Sequence, residues 1–132
     1  MEFVSIRIIT GDVARLVDFY EHATAVRADR AGEDFAELRT ASATVAIAST
    51  RTVGVFAPGS ASEAANRSVI IEFLVDDVDE VHRNLTGLVA EVVTEPTTMP
   101  WGNRSLLLRD PEGNLVNFFT PVTPAAIAKF AR

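Results

Sequence analysis

The pattern of apolar and polar residues in the first half of the chain predicts a strand, a helix and three further strands. Residues 3–9 alternate imperfectly between apolar and polar side chains and are rich in β-branched residues, which is typical of a strand with two different faces. Apolar residues then recur at helical spacing over residues 13–22, directly after Asp12, which is a good N-cap. Three short strands follow in the pattern, at residues 26–30, 35–40 and 43–49.

The stretch after these strands, residues 50–67, has a different composition. It contains Pro58, Gly59 and Ser60 in succession, followed by a run of alanine, serine, glutamate and asparagine. Such a composition is typical of a linker or a mobile loop rather than of a packed element. We therefore expect a linker at about residues 51–67.

The pattern of the first half returns after this linker. An offset of 65 residues relates Ile6 to Ile71 and Asp12 to Asp77, so the chain contains an internal repeat. The second half is predicted to contain a strand at residues 69–75, a helix from Val78 that ends at Gly87, and strands at residues 89–94, 103–109 and 115–120. Each half therefore has the order strand, helix, strand, strand, strand.

Two such halves predict an α+β fold in which two tandem βαβββ modules form a curved mixed sheet around a cup, with the helices outside. A length of 132 residues suits a single compact domain with a substantial core. Within it we expect module 1 at about residues 1–50, module 2 at about 68–122 and a C-terminal helix at about 124–131. Thr123 is the expected cap of that helix, and Pro124 is its expected first residue.

The last two strands are predicted to pair as an antiparallel hairpin. They flank Asp110, Pro111, Glu112 and Gly113, a succession that favours a tight turn. Asn117 lies between Val116 and Phe118 on a strand that looks buried on both faces, where an unbonded polar group costs about 1–3 kcal/mol. Asn117 is therefore either a satisfied structural amide or a residue that faces a cavity.

Composition and charge exclude several classes of function. The absence of cysteine excludes disulfides, thiolate metal sites and a cysteine nucleophile. A net charge of −6, with scattered arginines, argues against binding of nucleic acid. No run reaches the roughly 18 consecutive apolar residues of a membrane span, and the N-terminal residues do not have the pattern of a signal peptide. We therefore expect a cytoplasmic protein that binds neither nucleic acid nor membrane.

Three segments carry a resemblance to a known family. They read TGDVARLVDFYEHA, FLVDDVDEVHRNL and WGNRSLLLRDPEGNLVNFF, and together with the duplicated βαβββ order they resemble the vicinal oxygen chelate superfamily. This superfamily includes glyoxalase I, extradiol dioxygenases and bleomycin-resistance proteins. The third segment is most similar to the branch that binds bleomycin and mitomycin. The resemblance implies a ligand held in a cup between two modules, and a homodimer.

Enzymes of this superfamily hold a divalent metal through histidine or glutamate on the first and last strands of each module. The corresponding places here are Ser5, Ala46, Ile70 and Asn117. None of these is a usual ligand, because a divalent cation needs imidazole or carboxylate lone pairs. His22 and His82 lie on the predicted helices instead, where a structural or solvated role is the expected one. The resemblance therefore implies a member without a catalytic metal, and we expect no cofactor.

The candidates for ligand binding come from the alternation along the strands, and one further candidate lies in a loop. They are Ser5, Arg7, Ile9, Glu72, Leu74, Trp101, Arg104, Asn117 and Phe119. Arg104 is a weaker candidate, as are Phe35 and Phe56, because the facing of these three residues depends on the bounds of their elements. Arg7 and Glu72 are related by the repeat and are predicted to face each other as an ion pair. That pair either fills the cup and sets how the modules meet, or it binds a polar or zwitterionic ligand.

Trp101 has two interpretations. It lies in a loop beside Gly102, where it can offer a flat platform to a planar ligand, or it packs in the core. We find no nucleophile, base and orienting group in a catalytic pattern, and no histidine on a groove strand, so we assign no catalytic residue. The sequence favours a metal-independent protein that binds a small aromatic or heterocyclic compound. The alternative is an enzyme of the same superfamily whose unidentified reaction uses Arg7, Glu72 and Asn117.

Overall fold

A computed structural model describes residues 1–131 of the chain and confirms the predicted α+β fold of two tandem βαβββ modules. The described residues form eight strands and four helices: β1 (Ser5–Thr10), α1 (Val13–Thr24), β2 (Asp29–Arg30), β3 (Phe35–Arg39), β4 (Thr44–Ser49), α2 (Thr50–Phe56), β5 (Ile70–Leu74), α3 (Val78–Leu85), β6 (Val92–Thr98), β7 (Asn103–Arg109), β8 (Leu115–Pro121) and α4 (Pro124–Phe130). None of these helices combines the length and the apolar composition that a membrane span requires.

The strands form two four-stranded mixed sheets with the same topology. Sheet 1 has the order β1-β4-β3-β2, and sheet 2 has the order β5-β8-β7-β6. In each sheet the first and last strands of the module are parallel neighbours, while the other pairs are antiparallel. The sequence repeat is thus a repeat of strand order and pairing.

The predicted helix caps are confirmed. The Asp12 carboxylate accepts a hydrogen bond from the backbone N–H of Arg15 at 3.1 Å. The Asp77 carboxylate accepts from the N–H groups of Asp79 and Glu80. Thr123 caps α4, which begins at a proline as expected. Each cap satisfies backbone donors that the first turn of a helix leaves free.

The chain divides into two compact units, which are described separately below. Unit 1 comprises Met1–Asn66 with Pro111–Gly113, and unit 2 comprises Arg67–Asp110 with Asn114 to the end of the chain. The boundary after Asn66 falls inside the segment that we interpreted as a linker.

The core of each unit lies between one sheet face and the long helix of its module. In unit 1, α1 packs on β3 and β4, and the buried side chains include Leu16, Val17, Tyr20, Ala36, Leu38, Val45 and Ile47. In unit 2, α3 packs on sheet 2, and the buried side chains include Ile71, Val78, Leu85, Leu106, Leu108, Val116 and Phe118. Burial of this apolar surface is the main source of stability in each unit.

The expectation of a loop at the start of residues 50–67 is wrong, because Thr50–Phe56 form helix α2. Val53 is buried where α2 contacts β1 and β4, and the Thr52 hydroxyl donates to the Ser49 carbonyl at 2.7 Å. Pro58 and Gly59 lie beyond the end of this helix, so their turn signal applies only to the residues that follow. Helix α4 has the same place after β8, so each module is followed by a short helix. The composition of residues 50–67 did not reveal the first of these two helices.

Two predicted strands have different bounds in the structure. Strand β2 has only two residues, because the backbone N–H groups of Val26 and Ala28 bond to the side chains of Thr24 and Glu21 on α1 instead of to a neighbouring strand. Strand β6 runs to Thr98, beyond the predicted end at residue 94. It continues past Pro96 because it is an edge strand with irregular register, where a missing N–H is tolerated.

Candidate functional site

Each sheet has a second face on the side away from α1 or α3, which we call the open face. In unit 1 the open face contains Ser5, Arg7 and Ile9 of β1, whose register partners on β4 are Thr44, Ala46 and Ala48. In unit 2 it contains Ile70, Glu72 and Leu74 of β5, whose partners on β8 are Leu115, Asn117 and Phe119. Register partners share a face, so these residues line the two open faces.

Arg7 is an exposed residue that contacts two aromatic rings in unit 1. Its guanidinium carbon lies over the ring of Phe35 at 5.7 Å from the centroid, and over the ring of Phe56 at 5.6 Å. Both distances are within the range of a cation–π interaction. Phe35 reaches Arg7 from β3, and Phe56 reaches it from the last position of α2.

The sequence pattern gave Phe35 and Phe56 only as weaker candidates, because their facing depends on the bounds of their elements. Phe56 could be placed only once α2 was known to be a helix that contacts β1. The alternation of β3 could have placed Phe35 on the open face, because its register partner on β4 is Ala48, which lies on that face. The predicted pairing of Arg7 with Glu72 joins residues of different units and stays a prediction.

Glu72 and Asn117 form a hydrogen-bonded pair on the open face of unit 2. The Asn117 side-chain amide donates to Glu72 Oε2 at 2.8 Å. The Asn117 Oδ1 atom is buried and has no hydrogen-bond partner. The nitrogen of this amide is therefore satisfied by a structural hydrogen bond, while its oxygen is an unused acceptor.

Two further buried oxygens on this face have no partner. They are Asn103 Oδ1 and Ser105 Oγ on β7, and Ser105 is only 3% exposed. Register pairs Ser105 with Phe119 and Asn103 with Pro121, which places both on the open face with Asn117. An unsatisfied buried polar atom costs about 1–3 kcal/mol, so three on one face are unfavourable unless a ligand or solvent bonds them.

The remaining candidates of unit 2 differ in their exposure. Leu74 is half exposed and is available for an apolar contact. Phe119 is only 8% exposed, and its ring packs against Phe130 of α4 with centroids 5.1 Å apart. The structure therefore covers Phe119 with the C-terminal helix.

Arg104 does not lie on the open face, contrary to our expectation. It is the register partner of Thr120, and its guanidinium bonds both carboxylate oxygens of Asp79 on α3, at 2.8 and 2.9 Å. This hydrogen bonding, with a smaller coulombic contribution from Arg104, lowers the pKa of Asp79 below its usual 3.8. Arg104 is thus engaged in joining a strand to a helix.

Trp101 is exposed, so the interpretation that it packs in the core is wrong. Its side chain is 68% exposed at the turn between β6 and β7. The following Gly102 has φ +95°, and a Cβ there would overlap the Thr123 hydroxyl and lie 3.1 Å from the Ala126 methyl group. The glycine of the Trp-Gly pair is therefore required by the backbone and by the close approach of α4.

The residues present do not fit a divalent metal at the places used by the enzymes that the chain resembles. Ser5 and Ala46 in unit 1, and Ile70 and Asn117 in unit 2, offer no imidazole or carboxylate. Among residues 1–131, no three histidine or acidic side chains converge as a metal-binding group. His22 lies on α1, where its Nδ1 is 2.8 Å from the Asp18 carbonyl oxygen, and His82 lies on α3.

Comparison with known proteins identifies the family. The model of the Glyoxalase/Bleomycin resistance protein/Dioxygenase superfamily matches residues 2–118. The chain belongs to this superfamily. The match covers both βαβββ modules from β1 into β8, so the duplicated fold and the family assignment agree.

Solved structures with the same fold include two that are described as glyoxalase/bleomycin resistance protein/dioxygenase proteins. A glyoxalase/bleomycin resistance protein/dioxygenase family enzyme from Burkholderia phytofirmans PsJN aligns with a TM-score of 0.79 at 18% identity, over 89% of this chain and 97% of that chain. A glyoxalase/bleomycin resistance protein/dioxygenase from Nocardioides aligns with a TM-score of 0.73 at 18% identity, over 94% and 85% of the two chains. TioX from Micromonospora sp. ML1 is 26% identical, with a TM-score of 0.67 over 92% of this chain and 100% of that chain. No curated protein matches the chain.

Proposed function

We propose that this protein binds a small aromatic or heterocyclic compound without a metal, in the manner of the antibiotic-binding members of its superfamily. The observation that carries the proposal is the composition of the strands that hold metal ligands in the enzymes. Those strands present Ser5, Ala46, Ile70 and Asn117, which are poor ligands, on faces that also carry aromatic and apolar side chains.

The open faces have the composition that a binding site for a small molecule requires. Such sites combine apolar walls with a few placed polar groups. In unit 1 the polar groups include Arg7 and Glu37, and the apolar groups include Ile9 and Phe35. In unit 2 the polar groups are Glu72 and Asn117, beside the half-exposed side chains of Ile70 and Leu74. Binding needs no group that gains or loses a proton, so this composition suffices.

A catalytic function is the second candidate, and one observation favours it. The Asn117 amide holds one oxygen of the Glu72 carboxylate, which orients a potential acid–base group on the open face. No histidine lies on either open face among the described residues to act with it. We therefore place binding before catalysis.

A fluorescence screen tests the proposal, because Trp101 is the only tryptophan and is exposed. Untagged protein is titrated with antibiotics and aromatic metabolites, and tryptophan quenching is followed by calorimetry on each hit. We expect at least one hit with micromolar affinity that is recovered chemically unchanged. A hit that is recovered as a different compound supports the enzyme, and the absence of any hit contradicts the proposal.

Elemental analysis of the same untagged protein is the control for the metal. We expect no stoichiometric zinc, nickel, manganese or iron after purification without chelator. One tightly held ion of these metals per chain would contradict metal-independent binding.

Trp101→Phe, measured by calorimetry, shows whether the tryptophan contributes to affinity or only reports binding.

A further inference from the structure

The guanidinium group of Arg7 is held by aromatic rings and not by carboxylates. Phe35 and Phe56 attract its charge from 5.7 and 5.6 Å, but a ring face is no substitute for a hydrogen-bond acceptor. Arginine has five N–H donors in a planar group. Within the described residues of unit 1, none of these five donors has a hydrogen-bond acceptor.

Three other arginines of the same unit are paired with acids. Arg39 bonds to Glu37 at 3.0 Å and lies near Asp29, and Arg51 bonds to Asp34 at 2.6 Å. Arg30 is paired in the same way, with Asp18 and Glu21. Glu37, the acid that shares the open face with Arg7 by register, is thus bonded to Arg39, and among the described residues of unit 1 no carboxylate pairs with Arg7.

The neighbouring strand allows the aromatic rings to approach Arg7. Ala46 is the register partner of both Arg7 and Glu37, and Ala48 is the register partner of both Ile9 and Phe35. Both alanine methyl groups are buried, at 3% and 0% exposure. Short side chains on this central strand leave room for the longer residues on either side of it. Contact with the two rings restricts the guanidinium group, so less conformational entropy is lost when a ligand binds it.

We propose that Arg7 binds a planar oxyanion, most simply a carboxylate, carried by the aromatic ligand of this protein. The planar arginine fork matches the two oxygens of a carboxylate, and the nearby rings of Phe35 and Phe56 provide apolar contacts for an attached ring system. The inference rests on the proposed function and adds the charge class of the ligand to it.

The test uses three probes with the same ring system and different charge. Naphthoate is an anion, naphthamide is neutral, and naphthylmethylamine is a cation at neutral pH. Calorimetry with the full chain is expected to show naphthoate binding at least tenfold more tightly than the other two. Arg7→Ala is expected to weaken naphthoate binding by about tenfold to hundredfold, as is typical when charge-assisted hydrogen bonds are lost, and to remove the preference for the anion.

Two variants control for general effects of charge and aromaticity. Arg30→Ala removes the same charge from a residue that is already paired with Asp18 and Glu21 of α1, on the helix side of sheet 1, and it is expected to change naphthoate affinity less than twofold. Phe56→Leu removes one ring from the exposed end of α2 and is expected to weaken naphthoate several-fold. Circular dichroism confirms that each variant is folded.

Proton–nitrogen NMR of the arginine Nε–H groups measures binding in the unmodified protein, and Arg7→Lys serves only to assign the resonance. Naphthoate is expected to shift one arginine resonance, which is missing in Arg7→Lys. Equal affinity for the three probes, or a preference for naphthoate that survives in Arg7→Ala, overturns the inference but leaves the proposed binding function intact. Binding of none of the three probes at millimolar concentration overturns the inference, and a negative fluorescence screen then also rejects the proposed function.

Discussion

Ser105 and Thr120 carry the same kind of hydroxyl group on adjacent strands of sheet 2 but on opposite faces. The Thr120 hydroxyl accepts from the N–H of Val78 at 3.1 Å and donates to the Val75 carbonyl at 3.0 Å, so it fixes the start of α3. The Ser105 hydroxyl is buried and has no partner. The same chemical group therefore stabilises one face and costs free energy on the other.

This contrast predicts opposite effects of removing the two hydroxyl groups. Ser105→Ala is expected to raise the free energy of unfolding by about 1 kcal/mol, because an unsatisfied buried group is removed. Thr120→Val is expected to lower it by about 1–2 kcal/mol, because two hydrogen bonds are lost. Urea denaturation of both variants measures the change. A destabilised Ser105→Ala would contradict the interpretation of that hydroxyl as unpaired.

The same serine variant separates stability from binding. A hydroxyl that is kept at a cost to stability is expected to have another use, as polar groups on binding faces often do. If Ser105 contacts the ligand, Ser105→Ala weakens its binding while it stabilises the free protein. Calorimetry with a hit from the fluorescence screen distinguishes this result from a purely structural role.

At the scale of elements, the pair of Asp79 and Arg104 joins α3 to β7. The two hydrogen bonds are bidentate, which is the favourable geometry for arginine and carboxylate. Both side chains are about one-third to two-fifths exposed, at 43% and 34%, so water and salt weaken the pair. The main measurable consequence of the pair between Asp79 and Arg104 is therefore a dependence of the free energy of unfolding on pH.

The sign of that dependence follows from the lowered pKa of Asp79. The contribution of the pair is fully present above the pKa of the unfolded chain, about 4, and is lost as the pH falls through the lower pKa of the folded protein. We expect Asp79→Asn to be less stable than the unmodified protein at pH 7, with the difference shrinking in acid. Urea denaturation over this pH range, in a double-mutant cycle with Arg104→Ala, measures the coupling. Coupling that stays constant into acid would contradict this account.

At the scale of the whole molecule, large apolar side chains are exposed in both units. They include Phe3, Val4, Val55 and Phe56 in unit 1 and Val69, Ile70, Leu74 and Trp101 in unit 2, all at least 49% exposed. Exposed apolar residues in clusters often mark binding surfaces for a ligand or for another chain. Their number supports the prediction that the chain self-associates.

We expect the protein to be a dimer in solution. Burial of exposed apolar residues at an interface would supply the favourable free energy of association. Light scattering coupled to size exclusion, over a range of protein concentrations, measures the mass. A mass that equals one chain of 14.3 kDa at every concentration would contradict the prediction.

Local pattern determined much of the fold. Helical spacing after Asp12 and Asp77 predicted α1 and α3 together with their caps, because capping depends on residues within one turn. Alternation likewise grouped Ser5 with Arg7, and Glu72 with Leu74, since the period of a strand is a local property. The 65-residue repeat then predicted two modules of the same topology.

Contacts between residues distant in sequence decided the surroundings of the candidate site. Helix α2 is too short to be stable alone and forms because Val53 is buried where it contacts β1 and β4, and this places Phe56 beside Arg7. Arg104 is only one position from Ser105, yet strand pairing directs one towards Asp79 and the other to the open face. Sequence alone determined the alternation of side chains, but only tertiary packing decided which partner each face met, because a side chain's burial and partners depend on the elements that pack against it.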